Sequence, residues 1–278
     1  MAIESISPVG IQAQPSYLAR LSSAFGAKVQ NSLSQLSSGM RITSPAVDAA
    51  GLAQSIQFEA ELGRIAAAQS NIANASSFAE TQQGALQGVT QAMERMSELS
   101  IRAQDITVNA EDRAGIQAEF SRLQDFISDT SRLQFNQVDL FSSQNREVTV
   151  DADANVLTMK GADLAAPGDA GGLGDVMGGA AVDTPAKAAS ARQTLETAVA
   201  NVANIRANIT ASAQQMDVSA ANLSVLSINL NAANGRIVDA GFPRAAVQFA
   251  GDKLLADSAL LAFTKGYRFP RPGLSALA

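Results

Sequence analysis

Residues 61–96 read ELGRIAAAQSNIANASSFAETQQGALQGVTQAMERM, and the placing of apolar side chains in this stretch decides the fold. Leu62, Ile65, Ile72, Ala75, Ala79, Leu86, Val89, Met93 and Met96 follow one another at steps of three, four or seven, so they share one face of an α-helix. Returns of seven are the rhythm of helices that wrap around partners. From Pro45 the chain continues through the whole stretch without a proline. A helix of about sixty residues would be ~90 Å long. A compact monomer of this size needs no rod of that length, so the element points to a bundle or an extended assembly.

Upstream, Thr43-Ser44-Pro45 predicts the start of this helix, with a hydroxyl cap, proline at the first helical position and Asp48 near the positive end of the dipole. Before it, Leu18, Leu21, Phe25, Val29, Leu33 and Leu36 predict an amphipathic helix from about Ser16 to Ser38, behind a polar lead-in and ended by Gly39. Downstream, a break near Asn109-Ala110 precedes a helix from about Asp112 to Leu133, striped by Ile116, Phe120, Leu123, Ile127 and Thr130. Asp183-Thr184-Pro185 repeats the cap-then-proline device and opens a helix from about Ala186 to Ala240. Its stripe is Leu195, Val199, Val202, Ile209, Ala213, Met216, Ala220, Leu223, Leu230 and Ile237. Between the helical halves, residues 147–150 and 156–159 are short strand candidates around a turn at Asp151–Asn155. Residues 161–180, with seven glycines, read as a flexible loop. After Gly241, apolar spacing continues at Val247, Leu254, Leu255, Leu260 and Leu261, in a segment expected to be broken by Gly251, Gly266, Pro270 and Pro272. The expected fold is mainly α: a long antiparallel helical bundle or coiled coil folded back on itself, with a small β hairpin at its tip.

Composition excludes several chemistries. The 278 residues include no Cys, His or Trp, so thiolate nucleophiles, disulfides and imidazole bases or ligands are absent. A net charge of -6, with basic residues spread singly apart from Lys265, Arg268 and Arg271, argues against nucleic acid. No apolar run approaches a membrane span, and the first residues do not form an ordinary secretory signal, which taken alone suggests a cytoplasmic protein.

No catalytic, cofactor-binding or metal-ligating set emerges. Asp151 and Asp153 form a D-x-D pair, but in a turn with no further carboxylates beside them. Glu59 and Glu61, two apart, point apart on a helix. The spacing of Gly172, Gly174 and Gly178 is one residue too long for a nucleotide loop and lacks a buried strand before it. Arg95, Glu98, Arg102, Glu119 and Arg122 flank the apolar stripes. They read either as a solvated face with weak ion pairs or as charges that register neighbouring subunits.

Extended text then resembles bacterial flagellin. Residues 32–62, SLSQLSSGMRITSPAVDAAGLAQSIQFEAEL, are similar to the family's amino-terminal signature, and AQSNIANASSFAETQQGAL, MERMSELSIRAQ and LQFNQVDLF (residues 133–141) continue it. Residues 230–242, LNAANGRIVDAGF, resemble a carboxyl-terminal segment of the family. The resemblance departs from the family at the amino-terminal opening, at Gly241 and Pro243, and in the closing GYRFPRPGLSALA.

The resemblance implies a short flagellin lacking large outer domains, with an atypical carboxyl segment. It implies terminal filament-core helices in residues 1–44 and 241–278, disordered in the monomer, and a long-helix bundle in 45–141 and 183–240. Residues 142–182 would form the hairpin and Gly-rich loop. Such a chain polymerises with itself into an extracellular filament for swimming, exported without a cleaved signal. Its other partners would be an export chaperone, the filament cap and hook-junction proteins, with no cofactor, nucleic acid or membrane. Subunit packing is expected from Leu33, Leu36, Ile42, Leu62, Ile65, Leu86, Met93, Leu223, Leu230 and Ile237. Family members sensed by the flagellin-specific Toll-like receptor present an arginine and a leucine on the long helix and a glutamate on the next. Arg95, Leu99 and Glu119 match these, while Ser97 stands where arginine is common. A hook–filament junction protein or a flagellin-derived surface component is the alternative.

Overall fold

The computed structural model describes residues 15–266. The polar lead-in up to residue 14, Arg268, Arg271 and the closing residues of the chain lie outside them. In chain order the elements are helices α1 (Pro15–Ser38), α2 (Ala49–Ala103) and α3 (Ala110–Ser131). Strands β1 (Gln134–Phe135), β2 (Val138–Asp139), β3 (Arg146–Thr149) and β4 (Val156–Met159) follow. Helices α4 (Gly174–Gly178), α5 (Pro185–Val238) and α6 (Phe242–Gly266) complete the fold. The chain is mainly helical, with long helices packed back on one another and a small antiparallel hairpin, as the periodicity predicts. It divides into two compact units, residues 61–228 and residues 1–60 with 229–278.

In the unit of residues 61–228, α2 and α5 run antiparallel. Gln83 donates to the carbonyl of Arg206 at 2.9 Å and to Thr210 at 3.0 Å, while further along α2 Thr90 and Met93 share a crevice with Val199, Val202 and Ala203. The buried positions of α2 alternate by three and four: Ile65, Ala68, Ile72, then Ala79, Gln82, Leu86, Val89, Met93 and Met96. Each large side chain here contributes about 1.5–3 kcal/mol by leaving water. Gln82 is the polar member, and its amide donates to the carbonyl oxygen of Leu140 at 2.6 Å.

On α5 the buried line is Leu195, Ala198, Val202, Ile205 and Ile209, then Met216 and Leu223. Val199, expected in this stripe, is 44% exposed, whereas Ala198 and Ile205 face inward. One residue turns a helix by about 100°, which carries Ala198 to the side of Leu173 and Val176 and leaves Val199 at the edge of the crevice beside α2. α3 packs beside α2, with Ile116, Phe120 and Ile127 buried and Leu123 half-buried. Its start is capped by Asn109, whose Oδ1 accepts from the Asp112 amide at 2.7 Å. Phe126 closes on α2 at Gly88, where a Cβ would stand 3.3 Å from its ring.

β3 and β4 pair antiparallel with Val148 opposite Leu157, and Asp151 organises their turn by accepting from the amides of Asp153 and Asn155 at 3.0 and 2.8 Å. A second, two-residue hairpin joins β1 and β2, with Asn136 and Gln137 both at positive φ, 50° and 64°. Its turn lacks the Asn-Gly or Asp-Gly pair that signals this geometry, so the spacing did not predict it. The glycine-rich stretch is more ordered than a flexible loop. It holds a 3₁₀ turn (Gly168–Ala170) and α4, anchored by buried Leu164, Leu173 and Val176. Its glycines serve close backbone approach: a Cβ on Gly172 would lie 2.1 Å from the carbonyl oxygen of Ala166.

In the other unit α1 packs on α6. The Ser32 hydroxyl donates to the Asp252 carboxylate, both residues being buried, and the Gln248 amide approaches the same carboxylate at 3.4 Å. Gly39 ends α1 at φ 71°, a conformation that suits glycine. Met40 then bridges Asp239, and the Arg41 amide donates to the Val238 carbonyl at 2.6 Å.

The predicted start of α2 needs correction. Pro45 lies in a turn closed by the Val47 amide on the Ser44 carbonyl, and the helix starts at Ala49. The cap is Asp48, whose Oδ1 accepts from the Gly51 amide at 2.8 Å. A carboxylate three residues ahead of a free amide outcompetes the upstream hydroxyls for this role. Gly51 leaves room for it, since a Cβ there would stand 2.5 Å from Asp48 Oδ2 and 2.8 Å from Ile42 Cδ1.

Candidate self-association surface

Two helices present apolar lines that their own units leave uncovered. On α6, Val247, Leu254 and Leu261 recur every seven residues and are 74%, 69% and 60% exposed, with Phe242, Leu255 and Leu260 also exposed. On α5, Val218, Val225 and Ile228 lie two or more residues off the buried Met216–Leu223 line and are exposed as well. A helix with one covered and one uncovered apolar line is built to meet a second surface. The α5 line was legible as a second seven-residue step, from 218 to 225, but the stronger core stripe masked it. The apolar spacing after Gly241 is carried by one continuous helix, and Gly251, expected to break it, does not interrupt α6 because a single glycine only weakens a helix.

The residues expected to pack subunits fall into three groups. Ile42, Ile65, Leu86, Met93 and Leu223 are buried within their own units. Leu36, Leu62, Leu230 and Ile237 are half-buried, and Leu33 is exposed.

Arg95, Leu99 and Glu119 come together at the α2–α3 face. Arg95 Nε meets Glu119 Oε1 at 2.7 Å and its Nη1 meets Glu98 Oε2 at 2.9 Å, whereas Leu99 is buried. The hydrogen bond from Arg95 holds the Glu119 carboxyl below its usual range, and Glu119 with Glu98 pushes the guanidinium up. Arg102 adds to the positive field on Glu119. Asp105 is lowered by the amide and hydroxyl of Thr107, and Asp151 by the side chain and then the amide of Asn155. These shifts keep carboxylates ionised, the reverse of what a general acid near neutral pH needs.

Arg41 was not among the predicted site residues. Its Nε and Nη2 donate to the Ile237 carbonyl, and Nη2 pairs with Asp48 at 3.3 Å. The cation thereby sits at the negative end of α5. Spacing alone gave no signal for it, because its partner lies far along the chain. Among the described residues no group of three or more His, Cys, Asp or Glu is placed to hold a metal ion, and no helix is long and apolar enough to cross a membrane.

Comparison with known proteins bears on this surface. The bacterial flagellin N-terminal helical region matches residues 16–146, and the bacterial flagellin C-terminal helical region matches residues 193–266. A curated relative, flagellin FlaB2 of Treponema pallidum, is 31% identical over 250 residues, covering 83% of this chain and 85% of the relative. A structure described as a flagellar hook-associated protein from Vibrio parahaemolyticus aligns with a TM-score of 0.60 at 17% identity, over 69% of this chain and 100% of that one. Bacillus cereus flagellin aligns with a TM-score of 0.50 at 23% identity, over 55% of this chain and 88% of that one. At these identities the two structures speak for the fold alone.

Proposed function

The chain belongs to the bacterial flagellin family and is a structural, non-enzymatic subunit for filament assembly; on that premise we propose how its parts divide the work. The terminal segments, 1–44 and 241–278, form the filament's inner tube, and the long helices of 45–141 and 183–240 form the shell around it. The observation that carries this reading is the uncovered line Val247–Leu254–Leu261 on α6. Such a line is unfavourable in water and is satisfied by a neighbouring copy. Of the residues expected to pack subunits, Leu33 has the most surface free for that role.

We read the chain as a short form of the family, because residues 147–192 alone separate its two matched regions. Its filament lies outside the cell, and the subunit is exported without a cleaved signal, with a chaperone, cap and hook-junction proteins as transient partners. Recognition by the flagellin-sensing Toll-like receptor would engage Arg95 and Glu119. Leu99 would need the α2–α3 face to open, since its own unit encloses it.

Sedimentation and negative-stain electron microscopy of purified protein test the reading. Long filaments at micromolar concentration are expected, and the L254S/L261S variant should stay soluble with an unchanged circular dichroism spectrum. Rings, short caps or persistent monomers of the wild type would favour a junction protein instead.

A further inference from the structure

Beside the α5–α6 corner, within the unit of residues 1–60 and 229–278, lies a cavity of about 450 Å³. Three guanidiniums line it: Arg41, Arg236 and Arg244. Arg41 is already engaged by Ile237 and Asp48. The guanidiniums of Arg236 and Arg244 form no side-chain hydrogen bond or ion pair among the described residues, and Asp239, on the same wall, pairs with neither. The amides of Gln35 and Gln248 are turned to Arg41's carbonyl and to Asp252. Guanidinium stays charged at any accessible pH, so the cavity keeps two free cations against one free carboxylate.

We propose that this cavity receives an aspartate or glutamate carboxylate from a second copy of this chain. The inference rests on the reading of the chain as a polymerising subunit. Its partner is set by charge: the chain carries 26 acidic against 20 basic residues. Exposed acids such as Asp125 and Asp129, one turn apart on α3, have no cationic partner among the described residues. Packing net-negative subunits side by side concentrates like charge, and a cationic cavity offsets it where a carboxylate of the neighbour enters. Guanidinium also suits the task geometrically, since its paired N–H groups match both oxygens of a carboxylate.

The test compares critical concentrations for assembly of the wild type, R236Q/R244Q and R236K/R244K at about 50 and 300 mM NaCl, below and above physiological screening. Loss of both charges should raise the critical concentration about tenfold at low salt, with the gap closing at high salt, while the lysine variant stays within about threefold. Filaments of R244K assembled from a mixture of ¹⁵N-labelled and unlabelled chains are then treated with a carbodiimide. Mixed-isotope cross-links from the introduced amine to an acidic side chain are expected, and they hold as a readout even where the glutamine variant folds poorly. Wild-type filaments indifferent to both substitutions, with cross-links confined to single chains, overturn this inference alone. Wild type that never assembles overturns the subunit reading and this inference together. Saturable binding of inorganic phosphate, lost in R236Q/R244Q while assembly is unchanged, reassigns the cavity to a free anion.

Discussion

Arg41 donates from Nε and Nη2 to one acceptor, the carbonyl oxygen of Ile237, at 3.0 and 2.6 Å, across 196 positions of sequence. The residues that leave α1 are thereby fastened to the last turn of α5. The neighbouring bond from the Arg41 amide to Val238, and that from the Ala240 amide to Gly39, make the junction a short stretch of paired backbone.

Arg41→Lys should keep the charge but lose the two-pronged donation, destabilising this unit by about 1–2 kcal/mol. Native-state hydrogen exchange would detect it as faster exchange at the amides of Arg41 and Ala240, with the amides around Leu86 unaffected.

Asp48 gives a pH dependence with a definite sign. The Gly51 amide, and then Arg41, lower its pKa below the ordinary value. Its contribution is therefore complete above the unfolded value of about 3.9 and fades as pH falls through the lower folded value. Thermal melts should show Asp48→Ala melting below wild type at pH 7, with the difference shrinking below about pH 4.

The register of the α2–α5 seam separates two neighbouring substitutions. Leu86→Ala removes a fully buried side chain and should cost about 2–5 kcal/mol in urea unfolding. Val199→Ser, half in water at the edge of the same seam, should cost no more than about 1 kcal/mol.

Much of this was readable in advance, and the misses have physical causes. Long helices announce themselves because every third or fourth residue must be apolar, and α2 obeys that rule from Ile65 to Met96. At Val199 the size of the side chain suggests burial, but the turn of the helix buries Ala198 and leaves Val199 at the edge of the crevice. The start of α2 was placed on a proline because three residue types there can begin a helix, and only geometry shows which oxygen reaches a free amide. Arg41 and the arginine cavity were illegible for another reason: their meaning comes from contacts between distant segments, which leave no period in the sequence.

Gly172→Ala should disturb the stretch between β4 and α5. The added methyl would meet the Ala166 backbone rather than a movable side chain, at a cost of about 1–3 kcal/mol. Limited proteolysis should then cut between residues 161 and 182 sooner than in the wild type.

Val225→Ser with Ile228→Ser should leave the monomer's melting temperature within about 2 °C, because both side chains already face water. Any weakening of assembly in that variant, measured by sedimentation, assigns the second α5 line to contacts between copies. Equal assembly would leave it as solvent-facing surface.

The buried amide of Gln82 has a consequence for alignment. Where α2 meets the segment that follows β2, a wholly apolar contact could shift along the helix and find nearly equivalent neighbours. Gln82 opposes that, because its donor bonds the Leu140 carbonyl in one position. After such a shift both groups would be stranded away from water, a penalty that no apolar neighbour could repay. Gln82→Leu should therefore make this contact greasier yet less single-minded. One glutamine acts as the keyway of the joint.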